Sequence, residues 1–453
     1  MVLKEHTLRD RTAHILEDIA SEHANVYGFS CYIWNITQIK EIAHALHKIQ
    51  PHARIVFGGP EVSFATDRFD EWDFVDAIVC GEGEEAMLDL CQKFRDKQPF
   101  SRIIQANPLP FMRNEGVLYR DGEHAGDILY YESSRGCPFS CAYCLSSTDS
   151  RLRCKSVEQT LEDLRAFEKL AGQCKIIKFV DRTFNANISR ANNIWRALLD
   201  DEFTKHYHFE ICASLLNEES FEILKQFPKG KIQLEIGLQS THIPTLEASA
   251  RHLSPEAVIL ATKRIYDMGN IHVHLDLIAG LPFEDYARFA KSFDDAYGFC
   301  DMLQVGFLKL LHGTALRDKK EEYGYEFWET PPYTVLKTNW MSYDDLQKLS
   351  RIAEVLERYF ESGRFVHTLW YLTPHMTSPF AFWEGLTNFI QRNDNRPLQR
   401  ISQPDAYRLL LDYAMSTLPL DEEAFKNALC ADFQSGEHKS PPRFLTTKRE
   451  DNT

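Results

Sequence analysis

The sequence lacks the marks of several large classes of protein. No window reaches about 18 uninterrupted apolar residues, the length of a membrane-crossing helix. The N-terminus has no basic segment followed by an apolar run, so no secretory signal is expected either. Positive charge is in deficit: 51 Lys and Arg stand against 66 Asp and Glu, a net charge of −15. Such a chain repels phosphate backbones, which disfavours a nucleic-acid partner in the absence of a local basic patch. There is no internal repeat and no low-complexity tract. What is there is 453 residues, 44% hydrophobic and 26% charged. That is an ordinary globular composition with room for roughly three domains. A cytoplasmic location without a membrane partner is expected.

Eleven cysteines without a secretion signal point to metal binding rather than disulfides. Eight of them (31, 80, 91, 154, 174, 212, 300 and 430) are scattered and read as buried, small apolar thiols. The other three lie in Glu132-Ser-Ser-Arg-Gly-Cys137-Pro-Phe-Ser-Cys141-Ala-Tyr-Cys144. Soft thiolates at these spacings can face one iron–sulfur cluster from a single loop. Three ligands leave one iron of a 4Fe–4S cube open, the mark of a catalytic rather than a structural centre. The competing reading is a zinc knuckle, whose fourth ligand would have to be Cys154.

Helix and strand patterns alternate through the first hundred residues. Helices are predicted over Arg11–Glu22 and Thr37–Lys48, with a third ending at Lys97. Strands are predicted over Asn25–Tyr32, Arg54–Phe57 and Phe74–Cys80. This predicts a Rossmann-like parallel sheet with helices on its faces over 1–105, followed by a Pro- and Gly-bearing linker over 106–127. A second alternation begins at Ile128, with strands at Ile128–Ser133, Lys175–Val180, His208–Ala213, Lys231–Gly237, His272–Ala279 and Met302–Phe307. Helices are expected between them at Val157–Leu170, Arg190–Leu199 and Pro255–Met268. Six βα units over 128–330 predict a partial (β/α)6 TIM barrel whose chemistry lies at the C-terminal strand ends. The remainder, 331–453, reads as mostly α-helical: Tyr343–Tyr359, Phe380–Ile390, Pro404–Met415 and Asp421–Ala431, with a frayed polar tail of fifteen residues.

The Cys-x3-Cys-x2-Cys spacing, with Tyr143 before the last cysteine, resembles the radical S-adenosylmethionine (SAM) superfamily. The resemblance implies a 4Fe–4S cluster held by Cys137, Cys141 and Cys144, with SAM on the open iron through its amino and carboxylate groups. One electron then cleaves SAM to methionine and a 5′-deoxyadenosyl radical, which takes hydrogen from a substrate. It further implies SAM contacts from Tyr143, from Asp181 and Arg182 at the second strand's end, from Glu210 on the third strand, and from Glu235 and Gln239 on one face of the fourth. Strand-end carboxylates also serve simply as helix caps. On the fifth strand His272, His274 and Asp276 share a face; they could bind metal or shuttle protons, or be hydrogen-bonded barrel fillers. No catalytic acid or base is assigned.

Gly28-Phe-Ser30, then Gly58-Gly59-Pro60, then Cys80-Gly81-Glu-Gly83-Glu resemble cobalamin-binding domains fused to such barrels. Ser30, Gly58, Gly59 and Gly81 are the positions where a long ligand tail could approach the backbone. Two departures accompany this resemblance. Met1–Glu5 reads as the domain's second strand, so the first βα unit is expected to be missing and a sheet edge exposed. No Asp-x-His-x-x-Gly cobalt-ligand motif occurs. The domain therefore binds cobalamin without a protein ligand, is shortened, or is a relic. Val305–Leu316, Pro331–Leu336 and Arg351–Phe365 resemble the C-terminal domain of unknown function of one cobalamin-type subfamily. Trp370, Tyr371, Phe380 and Trp383 read as helix-packing core, with a substrate mouth as the alternative.

The reading is a radical SAM enzyme using a 4Fe–4S cluster, SAM and, if the first domain works, cobalamin. With cobalamin, methyl transfer or another radical rearrangement of an unknown substrate is expected; without it, hydrogen abstraction. A one-electron donor such as flavodoxin or ferredoxin is implied. The rivals are a methylthiotransferase-like RNA modification enzyme, which predicts a second cysteine set in the first domain, and a non-catalytic iron–sulfur or corrinoid-binding protein.

Overall fold

A computed structural model describes residues 2–110, 128–170, 174–394, 396–437 and 440–446. The N-terminal sheet is parallel, with strands β1 (Val26–Ser30), β2 (Arg54–Gly58), β3 (Ala77–Cys80) and β4 (Ile103–Gln105) in sequential order. Amphipathic helices cover it. Ile36, Ile39, Ile42 and Leu46 of helix Ile36–Ile49 join Ile15 and Ile19 of helix Thr12–Ala20 over one set of strand side chains, Ile55, Phe57 and Ile78. Leu90 of helix Gly83–Arg95 packs with Val56, Ala77 and Val79.

Two expectations change here. Residues 2–7 carry no strand; Lys4 pairs with Asp18 and Glu22 beside the first helix, and β1 stands at the edge of the sheet. Residues 103–105, placed within the first domain but not read as a strand, pair with β3. Three residues are too few for a periodicity to show. Most of the expected linker, 111–127, lies outside the described residues.

The second sheet has six parallel strands in the order β12-β11-β10-β9-β8-β5. They are β5 (Ile128–Tyr131), β8 (Ile176–Phe179), β9 (His206–Ile211), β10 (Ile232–Gln239), β11 (His272–Ala279) and β12 (Met302–Phe307). This is the expected partial barrel. Alternation builds it: Ile232, Leu234, Ile236 and Leu238 of β10 are buried, whereas Gln233, Glu235, Gly237 and Gln239 share the opposite face. Between β5 and β8 two short strands, β6 (Ser134–Arg135) and β7 (Arg153–Cys154), pair antiparallel and close a loop.

The C-terminal third is mostly helical, with one small antiparallel pair, β13 (Glu326–Phe327) and β14 (Val335–Lys337). Its described residues form no separate core: one apolar cluster runs from Leu129 through the barrel to Leu445. Phe380 packs edge-on against Phe293 and Tyr286 of barrel helix Tyr286–Ala296. Phe380 and Trp383 are therefore core, as read, while Trp370 is 83% exposed and is not core. Leu445 is buried, so the expected frayed tail is anchored at that residue.

Candidate functional site

The three clustered cysteines sit on a rigidly framed loop at the C-terminal end of β5. Its two ends are joined by the β6–β7 pairing, Arg135 opposite Arg153. Gly136 has φ of +91°, and a Cβ there would collide with the Arg151 carbonyl, so this turn needs glycine. The Cys137 amide donates to the Asp149 carbonyl at 3.2 Å, and Ala142 is held on both sides, its amide by Ser249 and its carbonyl by the Leu316 amide, each at 2.9 Å. Cys137 and Cys141 are buried and Cys144 is half-buried.

Which group fits these thiols can be judged from their spread. Among the described residues, the one set of three His, Cys, Asp or Glu donors within 4.8 Å of one another is Glu235, His274 and Asp276. Thiolates 2.3 Å from a single zinc ion would lie about 3.8 Å apart. The three thiols do not converge that closely, so they suit a multi-iron cluster better than a zinc knuckle.

Beside the thiols stands Arg251, which the sequence reading missed. Its guanidinium donates to the Cys141 sulfur at 3.5 Å, to the Tyr143 hydroxyl at 3.3 Å and to the Gly237 carbonyl. Burial opposes its charge, but Tyr143 and Cys141 together raise its pKa. Burial likewise pushes the Tyr143 hydroxyl up. Gln239, at φ of +72° where the register of β10 with β11 shifts, folds back over Gly237, and its buried Oε1 makes no hydrogen bond among the described residues. An orphaned buried acceptor and a guanidinium offer partners complementary to an ammonium and a carboxylate, the two groups of an amino-acid headgroup. The only hint in the sequence was a cation in the loop after the fourth barrel strand.

Asp181 is placed differently from expectation. It is fully buried and accepts from the Ser133 amide (2.7 Å) and from the Ser133 and Ser134 hydroxyls (2.6 Å each). Its carboxylate is consumed in tying β8 to the base of the cysteine loop, which leaves the backbone groups of this strand end, rather than the side chain, for a ligand. Asn185 does the same one strand on, bonding the Cys212 amide and carbonyl at 2.9 Å. Arg182 is exposed and lies close enough to Glu210 to favour its ionisation.

Below the loop, a polar belt crosses the inner face of the barrel. Glu235 Oε2 meets His208 Nε2 at 2.7 Å and Lys178 Nζ at 3.2 Å, and His274 bonds Gln304 at 3.0 Å and approaches Asp276 at 3.0 Å. Burial pushes Glu235 up, but the His208 bond and the Lys178 and His274 charges outweigh it and hold the carboxyl at about 2. Burial and then the Glu235 charge push Glu210 up to about 7. Glu235, His274 and Asp276 could hold a metal by proximity, but Lys178 already supplies the cation at Glu235, which makes the belt self-neutralised. His272 is not part of it; it lies 3.9 Å from Asp301 instead.

The N-terminal sheet presents its carboxyl edge with Ser30, Gly58, Gly59 and Gly81 in a row, Ser30 opposite Gly58. Gly59 (φ +106°) is required by the fold, because a Cβ would lie 2.7 Å from the Cys31 carbonyl oxygen. Gly58 is not: its nearest neighbour would be 3.8 Å away, leaving room for a ligand chain. Tyr32 stacks on exposed Trp34 beside this edge. Just past Gly81, Glu82 makes a two-pronged ion pair with Arg153 (2.6 and 3.0 Å) and a third contact with Arg135 at 3.0 Å.

Comparison with known proteins agrees with this architecture. Residues 5–91 match the B12 binding domain, residues 131–296 the radical SAM superfamily, and residues 321–453 a protein family of unknown function, DUF4080. The chain carries a radical SAM domain behind a B12-binding domain. It is 28% identical over 320 residues to 2-(S-pantetheinyl)-carbapenam-3-carboxylate methyltransferase of Streptantibioticus cattleyicolor, covering 62% of this chain and 45% of that one. It is 25% identical to the cobalamin-dependent radical SAM methyltransferase TokK of Streptomyces tokunonensis, covering 62% and 45%. The chain thus spans less than half the length of these two relatives. The fold of TsrM, a radical SAM methyltransferase from Kitasatospora setae solved with cobalamin and a [4Fe-4S] cluster, superposes with a TM-score of 0.62 at 14% identity, over 85% of this chain and 91% of that one. The radical SAM domain match starts at Tyr131, the last residue of β5, ends with helix Tyr286–Ala296 and takes in all three clustered cysteines.

Proposed function

We propose that this protein is a cobalamin-dependent radical SAM methyltransferase, with a 4Fe–4S cluster on Cys137, Cys141 and Cys144. The observation that carries the proposal is the Arg251–Tyr143–Gln239 cradle beside Cys141, on a barrel whose cysteine loop is bolted to the glycine-lined edge of the B12-binding domain. When bound, the cofactors supply one-electron cleavage of SAM and a methyl group carried on cobalt. The chain's own residues position and shield. Arg251 offers charge-assisted donors to a carboxylate. The free Gln239 oxygen accepts from an ammonium. Glu210, half-buried above the Glu235 belt, offers a carboxyl to a sugar hydroxyl. Gly58, with Ser30, Gly59 and Gly81, gives a nucleotide tail access to the backbone. An unidentified substrate and a one-electron donor such as flavodoxin or ferredoxin complete the reading.

Anaerobic reconstitution followed by reduction and SAM addition tests it. About four irons per chain, with 5′-deoxyadenosine and S-adenosylhomocysteine as products, are expected. 5′-Deoxyadenosine without S-adenosylhomocysteine would leave hydrogen abstraction; neither product would leave a non-catalytic binding protein. The methylthiotransferase reading requires a second cysteine set in the first domain, where the Cys31 and Cys80 thiols are directed at the Phe29 and Val62 carbonyls.

A further inference from the structure

We infer that Glu82 is a positioning residue that locks the B12-binding domain to the cluster loop, so that the spacing between the two cofactor sites depends on this carboxylate. The inference rests on the proposed function for its purpose and on the geometry for its existence. Glu82 directly follows Gly81, at the carboxyl end of β3 on the sheet edge offered to cobalamin. Its two oxygens are gripped by arginines from both strands that close the cysteine loop. Arg153 on β7 takes Oε1 at 2.6 Å and Oε2 at 3.0 Å, and Arg135 on β6 takes Oε2 at 3.0 Å. The Leu109 amide adds a fourth donor at 2.9 Å, and Arg153 returns a bond to the Leu109 carbonyl at 2.6 Å. Thus the strand end, the chain leaving the first domain and both sides of the cysteine loop meet at one carboxylate.

The grip is stiff for three reasons. Arg153 and Glu82 are largely buried, with 8% and 14% of their side chains exposed, so water and salt compete poorly. The two-pronged geometry fixes direction as well as distance. The arginines are themselves oriented: Arg135 by Glu132 and Glu84, Arg153 by Asp149, whose carbonyl also holds the Cys137 amide. Movement of the B12-binding domain therefore reaches Cys137 through Glu82, Arg153 and Asp149 without a flexible link. The outer pairing, Glu84 with Arg135 at 2.8 Å, is more exposed and serves as an internal control.

Hydrogen exchange on the full chain tests this. In Glu82→Gln, amide exchange should rise on the order of thirtyfold at both residues 81–84 and the cysteine loop 134–154, as expected for unpairing a buried charge. Glu84→Gln should change neither by more than a few-fold. Arg135→Gln, which removes one prong from the other side, should loosen both segments by less. Loosening confined to 81–84 overturns the inference. In the loaded protein, dipolar broadening of the cob(II)alamin EPR signal by the reduced cluster should weaken in Glu82→Gln while iron per chain is unchanged. Unaltered broadening also overturns it. Failure of the corrinoid reading shows separately, as hydroxocobalamin leaving the visible spectrum and the exchange of the unsubstituted chain unchanged.

Discussion

Arg251 and Cys141, 110 residues apart in sequence, meet at 3.5 Å, with the guanidinium nitrogen also 3.3 Å from the Tyr143 hydroxyl. This places a permanent cation against the electron-rich face of the cysteine loop and beside the unpartnered Gln239 oxygen. Arg251→Gln should keep iron loading near that of the unsubstituted protein and weaken SAM binding by on the order of tenfold to a hundredfold, the worth of a charge-assisted pair. Iron analysis with equilibrium SAM binding checks it. Unchanged SAM affinity would remove Arg251 from the cradle.

Cys141→Ala should lose cluster loading after anaerobic reconstitution, whereas Cys154→Ala, on β7 outside the triad, should retain it. Retained iron in the first variant overturns the cluster assignment. Lost iron in the second makes Cys154 a fourth ligand and closes the iron left open for SAM.

Asp181→Ala should destabilise the barrel without touching a ligand. It strips the Ser133 and Ser134 hydroxyls and the Ser133 amide of a buried acceptor, at a cost of about 3 kcal/mol or more. A clear fall in thermal midpoint, with residual activity recovered at low temperature, is the expected outcome.

Gly58 and Gly59 separate ligand from fold. Gly59→Ala forces a Cβ to 2.7 Å from the Cys31 carbonyl oxygen at φ +106° and should lower the stability of the first domain. Gly58→Ala should leave stability near that of the unsubstituted chain, since the added carbon meets nothing nearer than 3.8 Å, yet reduce hydroxocobalamin affinity. Titration by absorbance decides the second point.

Stability should depend on pH in two opposing limbs. Glu235 is held at about 2 against an ordinary 4.5, so its contribution is present above pH 4.5 and is lost as pH falls towards 2. Glu284, buried between Ser240 and Ser292, is pushed by burial up to about 7, so the stability of its protonated form is present below pH 4.5 and is lost as pH rises through 7. Denaturant melts across pH 2–8 should show Glu284→Gln reducing the slope of the neutral limb, to which Glu210 also contributes, and leaving the acid limb intact.

The elements and the cysteine loop were legible in the sequence alone. Barrel strands such as β11 and β12 were legible to the residue, because alternating burial and βα repetition are local properties, and so was the thiol triad, because its ligands lie within eight residues. β4 and the absence of a strand at residues 2–7 were not, being decided by whether a neighbouring strand is there to pair with. Side-chain destinations belong to the tertiary structure alone. The Asp181 side chain is a buried clamp because Ser133 and Ser134, in the segment that follows β5, take up its carboxylate. Arg251, Lys178, His208 and Glu82 carried no local signature; each acquires its role from partners on other strands or in another domain. Glutamate or arginine in a loop reads from sequence as a solvated charge, and only burial against an opposite charge converts it into a fixed part of a site.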